Sequence, residues 1–236
     1  MSGASSDSVP HESSTSAIRF VLASASPARL ALLQSAGVPA EVAVSGIDEE
    51  AVTGRPAVVA LELARRKALA VCARMLKSGD VSQAQGVTVI LGCDSVLELD
   101  GETYGKPADP ATAVARWQQM RGRRGVLHTG HSLVVVDGPA TTHQRTHQRE
   151  RSEVASAEVR FGTPSNAEIE AYVATGEPLR VAGGFTLDRL GGWFVEGIDG
   201  DPGTVLGLSL PLLRRLLADV GLTVPALWGA TLSGHN

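Results

Sequence analysis

The chain has 236 residues, 43% of them hydrophobic and 4% aromatic, and its 21 Lys and Arg against 25 Asp and Glu give a formal net charge of −4. That length suffices for one large domain or two intimate lobes around a sizeable core, while the lack of a basic excess and of aromatic rings argues against a nucleic-acid partner. Its two cysteines, Cys72 and Cys93, are far apart and make no disulfide framework or zinc motif, so a reducing, cytoplasmic location is expected; no apolar run is long enough to span a bilayer, so no membrane partner is expected.

The first 16 residues are serine-rich and polar, without the basic and apolar regions of a signal peptide, and read as a disordered tail. Ala17–Ala23 is an apolar, partly β-branched run and reads as a strand. Ser26 then stands as an N-cap with Pro27 in the first helical position, a stripe at Leu30, Leu33 and Ala36, and Gly37 as the stop. Val42–Val44 reads as a short strand. Pro56 opens a long helix to about Leu76, with Val58, Leu61, Leu69, Cys72 and Leu76 as its apolar stripe. Val87–Leu99 is a strong strand, apolar on both faces at first and therefore central. Asp100-Gly101 signals a hairpin, and Asp109-Pro110 starts a helix to about Met120.

Leu127–Val136 reads as another strand, Asp137–Arg151 as a polar, mobile loop, and Val154–Phe161 as a strand. Ser165 to Glu168 matches a capping box for a helix ending near Gly176. The glycine-rich AGGFTLDRLGG leads into the strand-like WFVEGI. Ser209 and Pro211 start a last amphipathic helix with Leu212, Leu213, Leu216, Leu217 and Val220 on one side, and 226–236 reads as a C-terminal tail. No internal repeat is present. Strands alternating with helices predict an α/β fold with a mixed sheet, as one domain over 17–225.

Three segments can carry chemistry. In FVLASASPARLALLQSAG, a strand runs into a helix N-terminus, whose unpaired N–H groups and partial positive charge suit phosphate. Ser24 and Ser26 add hydroxyl donors there, and Arg29 adds a planar fork; the plainer alternative is that Ser26 only caps and Arg29 is a surface cation. In VILGCDSVLELDGETYGKP, Asp94 sits where an apolar strand turns polar and can hold a divalent metal or activate a water. The following hairpin folds back and can bring Lys106 near it; an Asx-turn aspartate and an ordinary surface lysine are the alternative. In SGIDEE, Asp48, Glu49 and Glu50 are acids before the long helix, and Lys67 within that helix either snorkels to solvent or points into a charged cleft.

His128 and His131 read as structural or substrate-adjacent, and His143 and His147, with zinc-finger-like spacing but no cysteine pair, as solvated. Neither a Walker loop nor a Gly-x-Gly-x-x-Gly fingerprint occurs.

Taken together, LASASPARLALL, GIDEEA, LARRKA, LGCDSVLELDGETYGKP and the run YVATGEPLRVAGGFTLDRLGGWFVEGIDGDPGTVLGLSLPLL resemble the Maf family of nucleoside triphosphate pyrophosphatases, named for a septum-formation phenotype, from about Phe20 to Leu222. The resemblance implies an elongated mixed sheet with flanking helices, two lobes around a nucleotide-binding cleft, and common homodimers. It implies hydrolysis of a nucleoside triphosphate at the α–β phosphoanhydride bond, with Mg²⁺ or Mn²⁺ as the divalent metal. Ser24, Arg29, Lys67 and Lys106 map to substrate-binding positions, Glu49 and Asp94 to metal ligands, and Asp94 to the catalytic aspartate, which would orient or deprotonate the attacking water. Ala28 replaces a second arginine that the family often carries. Ser95 and Asp188 occupy positions where the pyrimidine-selective branch has threonine and glutamine, which predicts a poorer fit to dTTP and UTP; Asp188 as a hairpin turn residue is the alternative. Two further readings stand beside this one: a nucleotide-binding regulator of division or septum formation that needs no turnover, and a related purine housecleaning enzyme acting on inosine-type triphosphates.

Overall fold

The computed structural model describes residues 18–49, 51–83, 86–138 and 147–228. The expected N-terminal tail, Glu50, the middle of the 137–151 loop with His143, and the last residues of the expected C-terminal tail lie outside the described residues.

β3 (Val87–Leu99) is the spine of the fold. Its run of β-branched and aliphatic residues is buried on both faces, as a central strand must be. The seven-stranded sheet has the order β2 (Ala40–Val42), β1 (Ile18–Leu22), β3, β5 (Arg124–Asp137), β6 (His147–Phe161), β7 (Val195–Asp199), with β4 (Glu102–Tyr104) also paired to β3. β2, β1 and β3 run parallel; β4, β5, β6 and β7 join antiparallel. This is the mixed α/β sheet expected. The hairpin at Asp100-Gly101 is present, with both residues at positive φ, 55° and 82°, as its tight turn requires.

Alternation along β3 assigns its neighbours. Val89, Leu91 and Cys93 pack in a cluster with Leu33 of α1 (Pro27–Ser35) and Leu212, Leu213 and Leu216 of α7 (Leu210–Asp219). Farther along the same face, Leu97 and Leu99 join a second cluster with Trp117 of α4 (Pro110–Met120) and Ile169 and Tyr172 of α5 (Asn166–Ala174). Ser95 falls between the two cores. The opposite face, with Ile90 and Val96, is covered by α2 (Pro56–Ser78). A short helix α3 (Asp80–Gln83) follows it, and α6 (Pro202–Leu206) lies just before α7.

The edges of β3 define the region that matters most. β5 pairs with it from Val87 to Glu98. Along the other edge, β1 pairs up to Leu91, and β4 joins only at Leu97. Between them β3 has a short stretch of edge, centred on Asp94, that neither strand covers.

Several expectations need correcting. The buried stripe of α2 is Val59, Ala60, Leu63, Ala64, Lys67, Ala68, Val71, Cys72 and Met75; of the expected stripe only Cys72 is buried, and Val58 is 49% exposed. The reason is close approach. A Cβ at Gly92 would lie 2.1 Å from Ala64 O, and one at Gly130 would lie 2.2 Å from Ala60 O. The helix therefore rests on bare backbone through alanines, and a search for large apolar residues picks the wrong face. The second strand is Ala40–Val42 rather than Val42–Val44. Much of the expected loop is strand: β5 runs to Asp137 and β6 begins at His147. Its polar residues make ion pairs such as Arg149–Asp137 and Arg65–Glu150, a pattern that a burial-based reading takes for a loop. Leu190–Phe194 is a 3-10 turn, so the first two residues of WFVEGI fall outside the strand, which keeps VEGI and runs on to Asp199. Val224–Leu227 forms another turn that brings Leu227 into the core.

Candidate active site

The uncovered edge of β3 lies just past the carboxyl end of its parallel neighbour β1, the side on which open α/β sheets place their ligands. The local sequence explains how each group reaches it. β1 ends at Leu22, and Ala23 N–H still reaches Leu91 O before the chain turns away. Ser26 caps α1 by accepting from Arg29 N–H, with Pro27 in the first turn. This puts Arg29 one turn into the helix, facing back into the crevice.

Arg29 is buried there rather than on the surface. Its Nη1 donates to Ser24 Oγ at 2.9 Å and to Cys93 O at 2.8 Å, its Nη2 to Ser95 Oγ at 3.0 Å, and its Nε to Gly207 O at 2.8 Å. The guanidinium thus occupies the carbonyl that β1 leaves behind and ties α1, β3 and the end of α6 together. Ser95 Oγ lies 2.8 Å from Thr129 Oγ1, which donates to Thr204 O at 2.7 Å. With that proton committed, Ser95 gives its own to Thr129 and accepts from Arg29, so its hydroxyl is part of the crevice floor.

From the other face, α2 delivers Lys67. Ala64 and Ala68 sit against Gly92, and Lys67, on the same helical face, reaches Asp94, two residues along β3. Its Nζ lies 2.5 Å from Asp94 Oδ1 and 2.7 Å from Glu49 Oε1. The lysine is buried, as is Asp94, while the Glu49 side chain is 46% exposed. Burial pushes the Asp94 carboxyl above the usual carboxylate range, against the pull of Lys67 and Arg29. At Glu49 desolvation also pushes upward, but hydrogen bonding to Lys67 and the charges of Lys67, Lys106 and Arg29 outweigh it and hold the carboxyl low. Lys106 itself is exposed, on the turn after β4.

Arg29, Lys67, Asp94, Glu49, Ser24 and Ser95 are therefore brought to one crevice, with the acids beside the cations, and Lys106 stands near enough for its charge to act on Glu49. Asp188 makes no hydrogen bond or ion pair with any member of this cluster. It is exposed, in a bend before the 3-10 turn at Leu190, and no hairpin strands flank it. Asp48, the other described acid of its segment, makes contacts of its own. An open groove of about 440 Å³, lined by residues including Thr163, Pro164, Trp193 and Phe194, shares no lining residue with the cluster.

The two histidines of LHTGHS have structural partners. His128 lies between Ser156 Oγ, 2.8 Å from Nδ1, and Glu98 Oε2, 2.9 Å from Nε2. His131 is fully buried, accepts from Ser209 N–H at 2.9 Å through Nε2, and its Nδ1 lies 3.0 Å from Thr129 O. It is thus neutral, with the proton on Nδ1, and it pins the start of α7. Desolvation lowers its pKa from 6.5 to about 4. In that window the unfolded chain binds the proton and the folded one does not, so stability is complete above pH 6.5 and falls as pH drops toward 4. The loss is on the order of 3 kcal/mol. Urea midpoints at pH 7 and pH 4.5 measure it: His131→Gln narrows the gap between them, and an unchanged gap would assign the acid limb to other groups.

Sequence reasoning missed Thr129, the carbonyl contribution of Gly207, and Glu177, whose carboxylate collects Tyr172, Thr186 and Gly191. Thr129 is flanked by the two histidines that draw attention first, and a backbone carbonyl has no residue signature. Glu177 had one available signal, its place between Gly176 and Pro178 at a helix end.

Residues 19–220 match the family model described as Maf-like protein. A protein of Salinispora tropica named nucleoside triphosphate pyrophosphatase is 54% identical over 219 residues, covering 92% of this chain and 91% of the relative. One of the same name from Streptomyces coelicolor is 54% identical over 211 residues, covering 89% and 94%, and one from Nocardia farcinica is 49% identical over 215 residues, covering 89% and 96%.

Proposed function

The chain belongs to the Maf family, and from that premise we propose that it is a nucleoside triphosphate pyrophosphatase, a hydrolase that cuts the α–β phosphoanhydride bond to release a nucleoside monophosphate and pyrophosphate in a housecleaning role. The observation that carries this reading to particular residues is the Asp94–Lys67–Glu49 contact beside Arg29 at the uncovered edge of β3.

The donor set fits a divalent metal. Glu49 and Asp94 each bring one hard oxygen to the same ammonium, so the two carboxylates already converge. Among the described residues no group of three or more His, Cys, Asp or Glu is placed to hold a metal ion, so Mg²⁺ or Mn²⁺ there would rest on the two carboxylates and on substrate oxygens. Glu49 and Asp94 would hold the ion, and it would supply charge neutralisation at the phosphoryl oxygens. The chain's own groups do the rest. Asp94, whose carboxyl burial pushes above the usual carboxylate range, orients and deprotonates the attacking water. Lys67 and Lys106 bind phosphate oxygens and stabilise the charge that spreads over them in the transition state. Arg29 has most of its donors committed, so it contributes chiefly its charge and the shape of the floor, with Ser24 at the helix N-terminus.

The resemblance sets Asp188 at the base, where the pyrimidine-selective branch has glutamine; a carboxylate there lacks the amide's donor, so the carbonyls of uracil and thymine fit poorly and a different pyrimidine or a modified base fits better. Two buried thiols, Cys72 and Cys93, suit the cytoplasm, and no described helix is long and apolar enough to cross a membrane. A homodimer follows the family habit. The regulator reading gives way because sensing has no need of a desolvated carboxylate set against a buried lysine.

A panel of ribo-, deoxyribo- and modified triphosphates with Mg²⁺ or Mn²⁺, read by pyrophosphate release, tests the proposal. Pyrophosphate with the matching monophosphate is expected, with dTTP and UTP among the slower substrates. Binding across the panel without release would restore the regulator of division, and exclusive use of inosine-type triphosphates the purine enzyme.

A further inference from the structure

We propose that Glu177 is a positioning residue for the nucleotide site: it clamps the 183–191 segment against the Gly105-Lys106-Pro107 turn, fixes where Lys106 stands, and so governs substrate capture rather than the chemical step. The inference deepens the pyrophosphatase reading and rests on it.

Glu177 follows α5, just past the turn at Gly176. Its Oε1 accepts from Thr186 Oγ1 at 2.5 Å, from Gly191 N–H at 3.1 Å and from Tyr172 Oη at 3.1 Å. The ring closes on itself: Thr186 N–H donates to Tyr172 Oη at 3.3 Å, and Gly191 N–H also reaches Thr186 Oγ1 at 3.2 Å. Position 191 must be glycine, because a Cβ there would stand 2.5 Å from both Tyr172 Oη and Thr186 O. Desolvation would raise this carboxyl, but hydrogen bonds from Thr186, Gly191, Tyr172 and the backbone of Leu190 hold it below the usual range. A charged acceptor shared by several donors is among the stronger local restraints a loop can have.

The segment so held touches both neighbours of Lys106. Gly183, at φ 72°, donates its N–H to Gly105 O at 3.2 Å, and Arg116 Nη1 donates to the same carbonyl at 2.8 Å. A Cβ on Gly184 would meet Pro107 Cγ at 3.2 Å, and Gly184 O accepts from Trp117 Nε1 at 2.8 Å. Lys106 has its backbone fixed from both sides through this segment, while its side chain stays exposed and its charge acts on Glu49. The partners of the Glu177 carboxylate are Tyr172, Thr186 and Gly191, none of them a member of the acid–cation cluster, so any effect it has on the site passes through the segment.

The test is a double-mutant cycle. Glu177→Gln keeps the shape and removes the charge; Lys106→Ala removes the group it is held to act through. Two readouts are taken: the KM and kcat of the triphosphate turned over fastest, and the affinity for inorganic tripolyphosphate by calorimetry. Glu177→Gln is expected to raise KM and the tripolyphosphate Kd about tenfold with kcat within about twofold, and to add less than about twofold in the Lys106→Ala background. Additive effects in the two backgrounds, a fall in kcat with KM unchanged, or no effect at all would overturn the proposal. Should Glu177→Gln not fold, Tyr172→Phe, which keeps the ring packed and removes one donor, carries the same cycle with the same outcomes. The tripolyphosphate arm separates the two readings: a protein that turns over no triphosphate refutes the pyrophosphatase assignment, while its binding cycle still decides for or against Glu177.

Discussion

Asp94→Asn lowers kcat by on the order of a thousandfold while the protein still binds nucleotide. Asparagine is nearly the same size and can still accept from Lys67, so the crevice keeps its shape. It loses the charge that orients and deprotonates a water, and it offers the metal a weaker oxygen. The loss falls on the chemical step: calorimetric affinity for a non-hydrolysable triphosphate analogue stays within about tenfold of wild type, because Lys67, Lys106 and Arg29 still face the phosphates. Removing one partner from a buried pair also has a stability cost, but Lys67 keeps Glu49 at 2.7 Å, so the folded protein survives for assay. Unchanged turnover would remove Asp94 from the chemistry. Turnover and affinity falling together would make it a binding residue only.

Gly92→Ala and Gly130→Ala are expected to be the most damaging single-methyl changes in the fold. Each new Cβ would sit 2.1 or 2.2 Å from a backbone oxygen of α2. A backbone carbonyl cannot swing aside as a side chain can, so the helix must lift or the strand must bend. The cost is about 3 kcal/mol or more. The same shift carries Lys67 away from Asp94, so activity falls further than the folded fraction does. Gly105→Ala is the matched control: nothing lies within 4 Å of its Cβ, and its stability changes by less than about 0.5 kcal/mol. Urea unfolding of the three variants decides the matter; a Gly92→Ala protein as stable as the control would mean that helix and sheet are not in the contact described.

Much of this architecture is legible in the amino-acid sequence. The caps at Ser26, Asp109, Ser165 and Ser209 each accept the expected backbone N–H, because capping is a local bargain between one side chain and one turn. Val87–Leu99 and Pro110–Met120 have the bounds that were expected. What was not legible depended on distant partners. Nothing within α2 reveals that two glycines on other strands turn its alanine face inward, so Lys67 could be weighed as a snorkelling surface lysine when it is buried against an acid. The polar half of β6 reads as a loop because its stabilisation comes from ion pairs across to β5 and α2.

The site was legible in a similar measure. Ser24 and Arg29 stand out at a strand end and a helix start, and Asp94 where an apolar strand turns polar; each of these, like Glu49, Lys67 and Lys106, also has a plain structural reading, and it is the motif set taken together that singles them out. That Arg29 spends its hydrogen bonds on Ser24, Cys93, Ser95 and Gly207 could not be read from spacing, since three of those partners come from distant segments. The Glu177 clamp is hidden in the sequence for the same reason: its donors span Tyr172 to Gly191 and close only when the glycine-rich segment folds back.

The most direct measurement is a crystal structure of Asp94→Asn with Mn²⁺ and a triphosphate whose α–β bridge is a non-hydrolysable imide. The account predicts the phosphate chain along the uncovered edge of β3, with Mn²⁺ beside Glu49 and residue 94, Lys67 and Lys106 on phosphate oxygens, and Ser24 at the end of the chain. Density for the nucleotide in the groove lined by Thr163, Trp193 and Phe194, with the β3 edge left to Lys67 and its two acids, would contradict it.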